Sequence, residues 1–144
     1  MNSLPDSATC SPRSPRRVLL VDDNEDSAEL TRMYAEMRGH MTRVAYDSHS
    51  ALAAADEFRP DVCLVDLHLG DDSGFILAQQ LRAIPGLEHC RLVAVSGLPR
   101  GASEAGAEAA GIRFHRHITK PFEREEVLAA IEGEDSNVTG SAAV

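Results

Sequence analysis

Val18-Leu19-Leu20-Val21-Asp22-Asp23 is a run of four apolar residues that stops abruptly at two carboxylates. Val62-Cys63-Leu64-Val65-Asp66 repeats the pattern with one carboxylate. Short apolar runs without polar alternation read as strands buried on both faces, the habit of parallel sheets. In open α/β sheets, ligands bind in the crevice outside the carboxyl ends of the strands. Two such tips side by side would gather three carboxylates in one small pocket. That density of like charge is hard to hold without a divalent cation.

Working outward, strand one covers 17–21. Asn24 is a good N-cap for a helix with a Leu30, Tyr34, Met37 stripe that ends at Gly39. A strand near 41–45 precedes a helix capped by Ser48 and built on Ala51, Leu52 and Ala55, with Pro60 as its stop. Strand three covers 61–66. Asp72 or Ser73 caps the next helix, which carries Phe75, Ile76, Ala78, Leu81 and Ile84 up to Pro85-Gly86. Strand four is 91–95, a small-residue segment follows at 101–111, strand five is about 113–118, and the last helix, about 122–132, carries Phe122, Val127, Leu128 and Ile131. Strand and helix patterns alternate five times, which implies parallel strands with right-handed crossovers and a three-layer α/β fold. The domain expected is 17–132, between a flexible Pro- and Ser-bearing extension, 1–16, and a small, polar, flexible tail, 133–144.

The 144 residues suffice for one domain with a real core. A net charge of −9 argues against nucleic acid or an anionic membrane as a partner, because both need a basic surface. No apolar stretch approaches a bilayer-spanning length, and the first residues lack the apolar core of a signal peptide, so the cytoplasm is the expected setting. Cys10, Cys63 and Cys90 show no CxxC spacing and read as free thiols.

Asp22, Asp23, Asp66, Ser96 and Lys120 all fall at or just after the ends of predicted strands. Three carboxylates without clustered His or Cys favour a hard cation, Mg²⁺ or Mn²⁺, in oxygen coordination. Lys120 supplies a point positive charge suited to a phosphoryl oxygen, and Ser96 a hydroxyl. A carboxylate can attack phosphorus to form an aspartyl phosphate, with cation and lysine neutralising the transferring group. Asp66, alone on the central strand and facing the Asp22–Asp23 pair, is the nucleophile on this reading.

This ordered set resembles the receiver domain of two-component response regulators, over Val18 to about Ile131. Asp22 and Asp23 match that family's acidic pair, Asp66 its phosphoacceptor, and Gly74 the glycine of the following loop. Ser96-Gly97 matches the switch hydroxyl with its small neighbour, and Lys120-Pro121-Phe122 the lysine with its proline. The resemblance implies a flavodoxin-like, doubly wound five-stranded sheet in the order 2-1-3-4-5, a fold for which the chemotaxis member of this family is a standard example. It implies phosphoryl transfer from a histidine kinase or histidine phosphotransfer protein to Asp66, and catalysis of nothing beyond the domain's own phosphorylation and dephosphorylation. It also implies that Asp23 ligates the metal directly, that the backbone carbonyl of His68 completes the metal shell, and that Lys120–Pro121 is cis.

Three departures stand out. Gly70 replaces a proline common after the phosphoacceptor, which suggests a looser loop at 67–73. His117 holds the aromatic switch position often given to Tyr or Phe. The Gly/Ala-rich 101–111 segment has almost no large side chains, and Gly106 alone costs its helix about 1 kcal/mol relative to Ala; helix four is therefore expected to be weakly packed and mobile. Each site residue also has an ordinary reading. Asp22 and Asp23 would suit a helix start, Asp66 a turn, Ser96 a strand end, Lys120 a solvated surface and His117 a satisfied histidine. The side chains of His40, His49, His68, His89 and His115 are scattered and show no metal spacing.

Two rivals remain at this stage. A metal-dependent phosphohydrolase of the haloacid-dehalogenase type would need Asp-x-Asp on strand one. A pseudo-receiver would be a scaffold that takes no phosphate. The expectation is a single-domain regulator. Phosphate on Asp66 draws Ser96 and Lys120 inward, and His117 and helix four rearrange. The face of helix four, strand five and helix five then presents a changed surface to a downstream protein, or the phosphate passes onward.

Overall fold

The computed structural model describes residues 15–70 and 72–133. Cys10 and nearly all of the expected extension and tail lie outside the described residues. Five parallel strands, β1 (Arg17–Val21), β2 (Met41–Ala45), β3 (Val62–Asp66), β4 (Arg91–Ser96) and β5 (Arg116–Thr119), form one sheet. Their order is β2-β1-β3-β4-β5, the flavodoxin-like arrangement expected. The helices α1 (Glu25–Met37), α2 (Ser48–Phe58), α3 (Gly74–Arg82), α4 (Arg100–Ala110) and α5 (Arg124–Glu132) alternate with the strands.

Side chains alternate across β3. Cys63 and Val65 join a core beneath α2, α3 and α4, whereas Val62 and Leu64 join a second core beneath α1 and α5. Both faces are thus covered, which is why the central strands read as unbroken apolar runs. No helix among the described residues is long and apolar enough to cross a membrane.

Several local readings change. In α1, the residues turned to the sheet are Ala28, Thr31 and Ala35, while Leu30 and Met37 of the expected stripe are 42% and 66% exposed. Small residues let the helix backbone approach the sheet closely, and only Tyr34 of the large stripe packs against the core. The cap of α2 is Asp47, whose carboxylate accepts from the Ser50 N–H at 2.8 Å; Ser48 is already helical. β5 starts at Arg116 rather than at 113, because Phe114 turns into the α3–α4 core before the ladder begins. α5 starts at Arg124, where Glu123 and Glu126 form a reciprocal capping box; Phe122 packs on the core from the preceding turn.

Gly106 has a role beyond lowering helix propensity. A Cβ there would lie 2.6 Å from Cζ of Phe75, so the glycine is what lets α4 close on α3. The Phe75 ring is backed by Phe114, edge-on at 6.4 Å between centroids. Gly106→Ala gains about 1 kcal/mol of helix propensity but overpacks this contact by about 1–3 kcal/mol. The expected outcome is a net loss of about 1 kcal/mol, seen as a melting temperature lower by about 3–5 °C. A higher melting temperature would mean that Phe75 yields without cost.

At the opposite end of the sheet from the acidic strand tips, the described ends of the chain share one buried polar knot. Glu132, 3% exposed, meets Nε2 of His40 at 2.9 Å and the Arg38 guanidinium at 2.8 Å. Nδ1 of His40 accepts the backbone N–H of Arg16 at 3.0 Å, so its Nε2–H donates to Glu132. The Arg16 carbonyl in turn accepts the N–H of Met41 at 2.9 Å.

Candidate functional site

β1 and β3 are neighbours in register, Val21 beside Val65, so their next residues emerge together at the carboxyl edge. One oxygen from each of Asp22, Asp23 and Asp66 falls within 4.8 Å of the others. Asp22 and Asp66 are buried, at 7% and 6% exposure, and Asp23 faces solvent. Lys120, at the end of β5, reaches across the edge and bridges the two buried carboxylates: Nζ is 3.1 Å from Oδ2 of Asp22 and 3.1 Å from Oδ2 of Asp66.

The remaining oxygens are held by backbone. Oδ1 of Asp22 accepts the Asn24 N–H at 2.9 Å, and Oδ1 of Asp66 accepts the His68 N–H at 2.9 Å. Burial pushes the Asp66 carboxyl above its usual range, against the opposing pull of the His68 N–H and of Lys120. For Lys120, burial disfavours the ammonium, but the charges of Asp66 and Asp22 outweigh it and hold the pKa above the ordinary lysine value.

The donor set fits a hard divalent cation. Three carboxylates converge, a single ammonium faces two of them, and around a Mg²⁺ at about 2.1 Å the ligand oxygens lie up to about 4 Å apart. Little closure of the observed span is needed.

The loop after Asp66 is shaped by two glycines. His68–Leu69 pairs antiparallel with Asp72–Ser73, so the segment expected to be loose is closed by its own short ladder. Gly70 turns that ladder with φ +62°, a conformation closed to proline, whose ring fixes φ near about −65°. Its Cα side lies against Asp23: an added Cβ would sit 3.7 Å from Oδ2. Asp72 ties the loop to α2 by accepting the Ser48 N–H at 3.1 Å, and Ser73 caps α3.

At Gly74 the constraint is space. A Cβ would stand 2.4 Å from the Asp66 carbonyl oxygen and 2.6 Å from Cα of Leu67, both backbone atoms that cannot swing away. Gly74→Ala is therefore expected to lose about 3 kcal/mol. The denaturant midpoint should fall with an unchanged slope; a midpoint at the wild-type value would refute the close approach.

Ser96 and His117 sit at the site's margin. Ser96 is the last residue of β4, 2% exposed, and its hydroxyl accepts the Leu98 N–H at 2.9 Å instead of touching Asp66. The Ser96 carbonyl accepts the Lys120 N–H at 2.7 Å, which binds the two strand tips to each other. His117 points away from the carboxylates. Its Nδ1 lies 2.6 Å from the hydroxyl of Ser103, and its ring stands edge-on to Phe114 at 5.5 Å. Ser103, buried in α4, went unread in the sequence; its only sign was a place one turn before Ala107 on the inward face. The Lys120–Pro121 peptide is cis.

With this geometry in hand, comparison with known proteins is direct. The family model for the response regulator receiver domain matches residues 18–132. The chain is 38% identical over 115 residues to the probable transcriptional regulatory protein TcrX of Mycobacterium tuberculosis, a match covering 79% of this chain and 47% of that protein. It is 32% identical over 128 residues to the transcriptional regulatory protein TrcR of the same organism, covering 83% of this chain and 45% of TrcR. The chain thus spans about half the length of these curated relatives. Among solved structures it resembles a response regulator of Burkholderia pseudomallei, determined with a phosphorylated aspartic acid, a calcium ion and citrate. That match has a TM-score of 0.73 and 30% identity, and covers 89% of this chain and 73% of that one. The acidic strand tips, the bridging lysine, the sheet order and the family match agree: the chain belongs to the response regulator receiver domain family.

Proposed function

We propose that Asp66 is the phosphoacceptor of a two-component signalling pathway, charged by a histidine kinase or histidine phosphotransfer protein. The observation that carries this is Lys120 bridging Asp66 and Asp22 beside the exposed carboxylate of Asp23. An oxygen of Asp66 attacks the phosphorus as the P–N bond to the donor histidine breaks. Asp22, Asp23, Asp66 and the His68 carbonyl would hold Mg²⁺ or Mn²⁺, which supplies charge to neutralise the phosphoryl oxygens. Lys120 exchanges its contact with Asp66 for a phosphoryl oxygen, and Ser96 turns from Leu98 to donate to another. The chemistry ends with this phosphate and its hydrolysis; no other substrate is assigned.

The output we assign to the α4–β5–α5 face. Movement of Ser96 and Lys120 would be felt at His117, whose bond to Ser103 engages α4. A groove of about 440 Å³, lined in part by Glu104, Ala107, Phe114 and His117, lies on that face, open to a downstream protein. No nucleic-acid contact is assigned to 17–132, in keeping with the net charge of −9 on the chain. The cytoplasm, where histidine kinases present their phosphate, is the matching setting.

The test is incubation of the full chain with Mg²⁺ and acetyl phosphate, followed by intact mass, and by peptide mapping of a second portion after borohydride reduction. One hydroxylamine-labile phosphate on the intact chain is expected, with homoserine in place of Asp66 in the reduced peptide map. An unlabelled protein would favour the scaffold reading, and steady release of phosphate from many monoesters a hydrolase.

A further inference from the structure

We propose that Cys63 and Cys90 form a redox modification site, a pair of thiols that hydrogen peroxide converts to an intramolecular disulfide joining β3 to the residue before β4. The two sulfurs lie 3.4 Å apart, and both are free thiols. Cys63 lies within β3 and Cys90 one residue before β4, and they meet in the core beneath α2, α3 and α4.

The pair is asymmetric in the way a reacting and a resolving thiol need to be. Cys63 is 0% exposed, in the middle of the sheet. Cys90 keeps 6% exposure and lies just below a loop whose Pro85, Gly86, Glu88 and His89 face solvent, so peroxide meets Cys90 first. The Cys63 thiol, donating to Cys90, pulls the Cys90 pKa below its usual value, and the Arg82 guanidinium assists; that hydrogen bond and burial hold Cys63 well up. Arg82 is fixed there by the carbonyls of Glu88 and Cys90, each 2.7 Å from Nη1. The thiolate is the reactive form, so the more accessible sulfur is also the more nucleophilic one.

The chemistry balances. The Cys90 thiolate attacks one peroxide oxygen, the O–O bond breaks, and the departing hydroxide takes a proton to become water, leaving a sulfenic acid. The Cys63 sulfur then attacks the Cys90 sulfur. The S–O bond breaks, and the hydroxide leaves as water with the Cys63 proton. Two thiols lose two electrons and two protons, and one peroxide becomes two waters. The sulfurs must close from 3.4 Å to about 2.0 Å. Cys90 precedes the regular ladder of β4, so its backbone can take up that shift without breaking a strand pair.

The experiment uses the full chain with Cys10→Ser, so that the third cysteine cannot pair. The reduced protein is treated with hydrogen peroxide and mapped by non-reducing peptide mass spectrometry. A Cys63–Cys90 linked peptide, lighter by two hydrogens and released by dithiothreitol, is expected. Adding Cys63→Ser should trap Cys90 as a dimedone-reactive sulfenic acid, and adding Cys90→Ser should leave Cys63 unmodified in the folded protein. The proposal is overturned if both thiols stay titratable on denaturation after peroxide. It is equally overturned if Cys90 accumulates higher oxides while Cys63 remains a free thiol, since the contact would then be core packing alone.

Discussion

Asp66→Asn is expected to take up no phosphate from acetyl phosphate and Mg²⁺ under conditions that label the wild-type domain. The amide keeps the shape of the carboxylate but offers no anionic oxygen to attack phosphorus. The same variant makes a second, opposite prediction about stability. Burial raises the Asp66 carboxyl above its ordinary range, so the folded state binds that proton more tightly than the unfolded chain does. Its contribution is favourable at low pH and is lost as pH rises through the raised value; at neutral pH the ionised side chain costs stability. Removing the charge should therefore raise the melting temperature at pH 7 without divalent cation, and the increment should vanish at acid pH. A domain that melts lower than wild type at pH 7 would mean that the Lys120 and His68 contacts outweigh desolvation. Together the two readouts separate loss of chemistry from loss of structure.

Lys120→Ala should divide metal binding from phosphoryl transfer. Nζ stands 3.1 Å from two of the three carboxylates, so removing it makes the cluster more negative. Even with solvent screening at a residue whose side chain is 27% exposed, Mn²⁺ should bind about tenfold more tightly. Phosphorylation should fall by about 10²–10³-fold, the usual effect of losing a group that stabilises the transferring charge. A titration of metal followed by an acetyl phosphate time course reads both. Parallel loss of metal affinity and phosphorylation would show that the lysine only organises the pocket. Gain of the first with loss of the second assigns it to the phosphoryl group.

Much of this site was legible because each of its charged members ends a strand. A buried parallel strand is written as consecutive apolar residues, and Asp22 and Asp66 follow such runs directly, whereas Lys120 ends the mixed strand Arg116–Thr119 and is marked only by its place at the strand tip before Pro121. Partners across elements were not legible. Nothing near His117 marks Ser103 as its contact, and nothing near Ser96 marks the turn to Leu98. Helix faces misled where small residues make the contact: Ala28 and Ala35 carry little hydrophobic signal, yet they are what α1 lays on the sheet. The Gly/Ala run of α4 hid a second meaning. Gly106 reads as a cost in helix propensity, and its missing side chain is also the space that Phe75 fills, a contact that no local pattern shows. Cys63 lies in β3 and Cys90 just before β4, with no motif between them, so only the pairing of β3 with β4 brings their sulfurs together.

The knot of Arg16, Arg38, His40 and Glu132 has a geometric consequence for signalling. The backbone comes into the domain and goes out of it at a single pole, with the Arg16 guanidinium 3.9 Å from where a Gly133 side chain would begin. The carboxylates occupy the other pole, the full length of β1 and β3 away. Any neighbour tethered at either end of 15–133 thus hangs from the pole opposite the carboxylates, beside the buried hydrogen bond between His40 and Glu132. On the proposed function, a phosphate on Asp66 would be read from the flank, over α4 and β5, with the handle kept apart from the trigger.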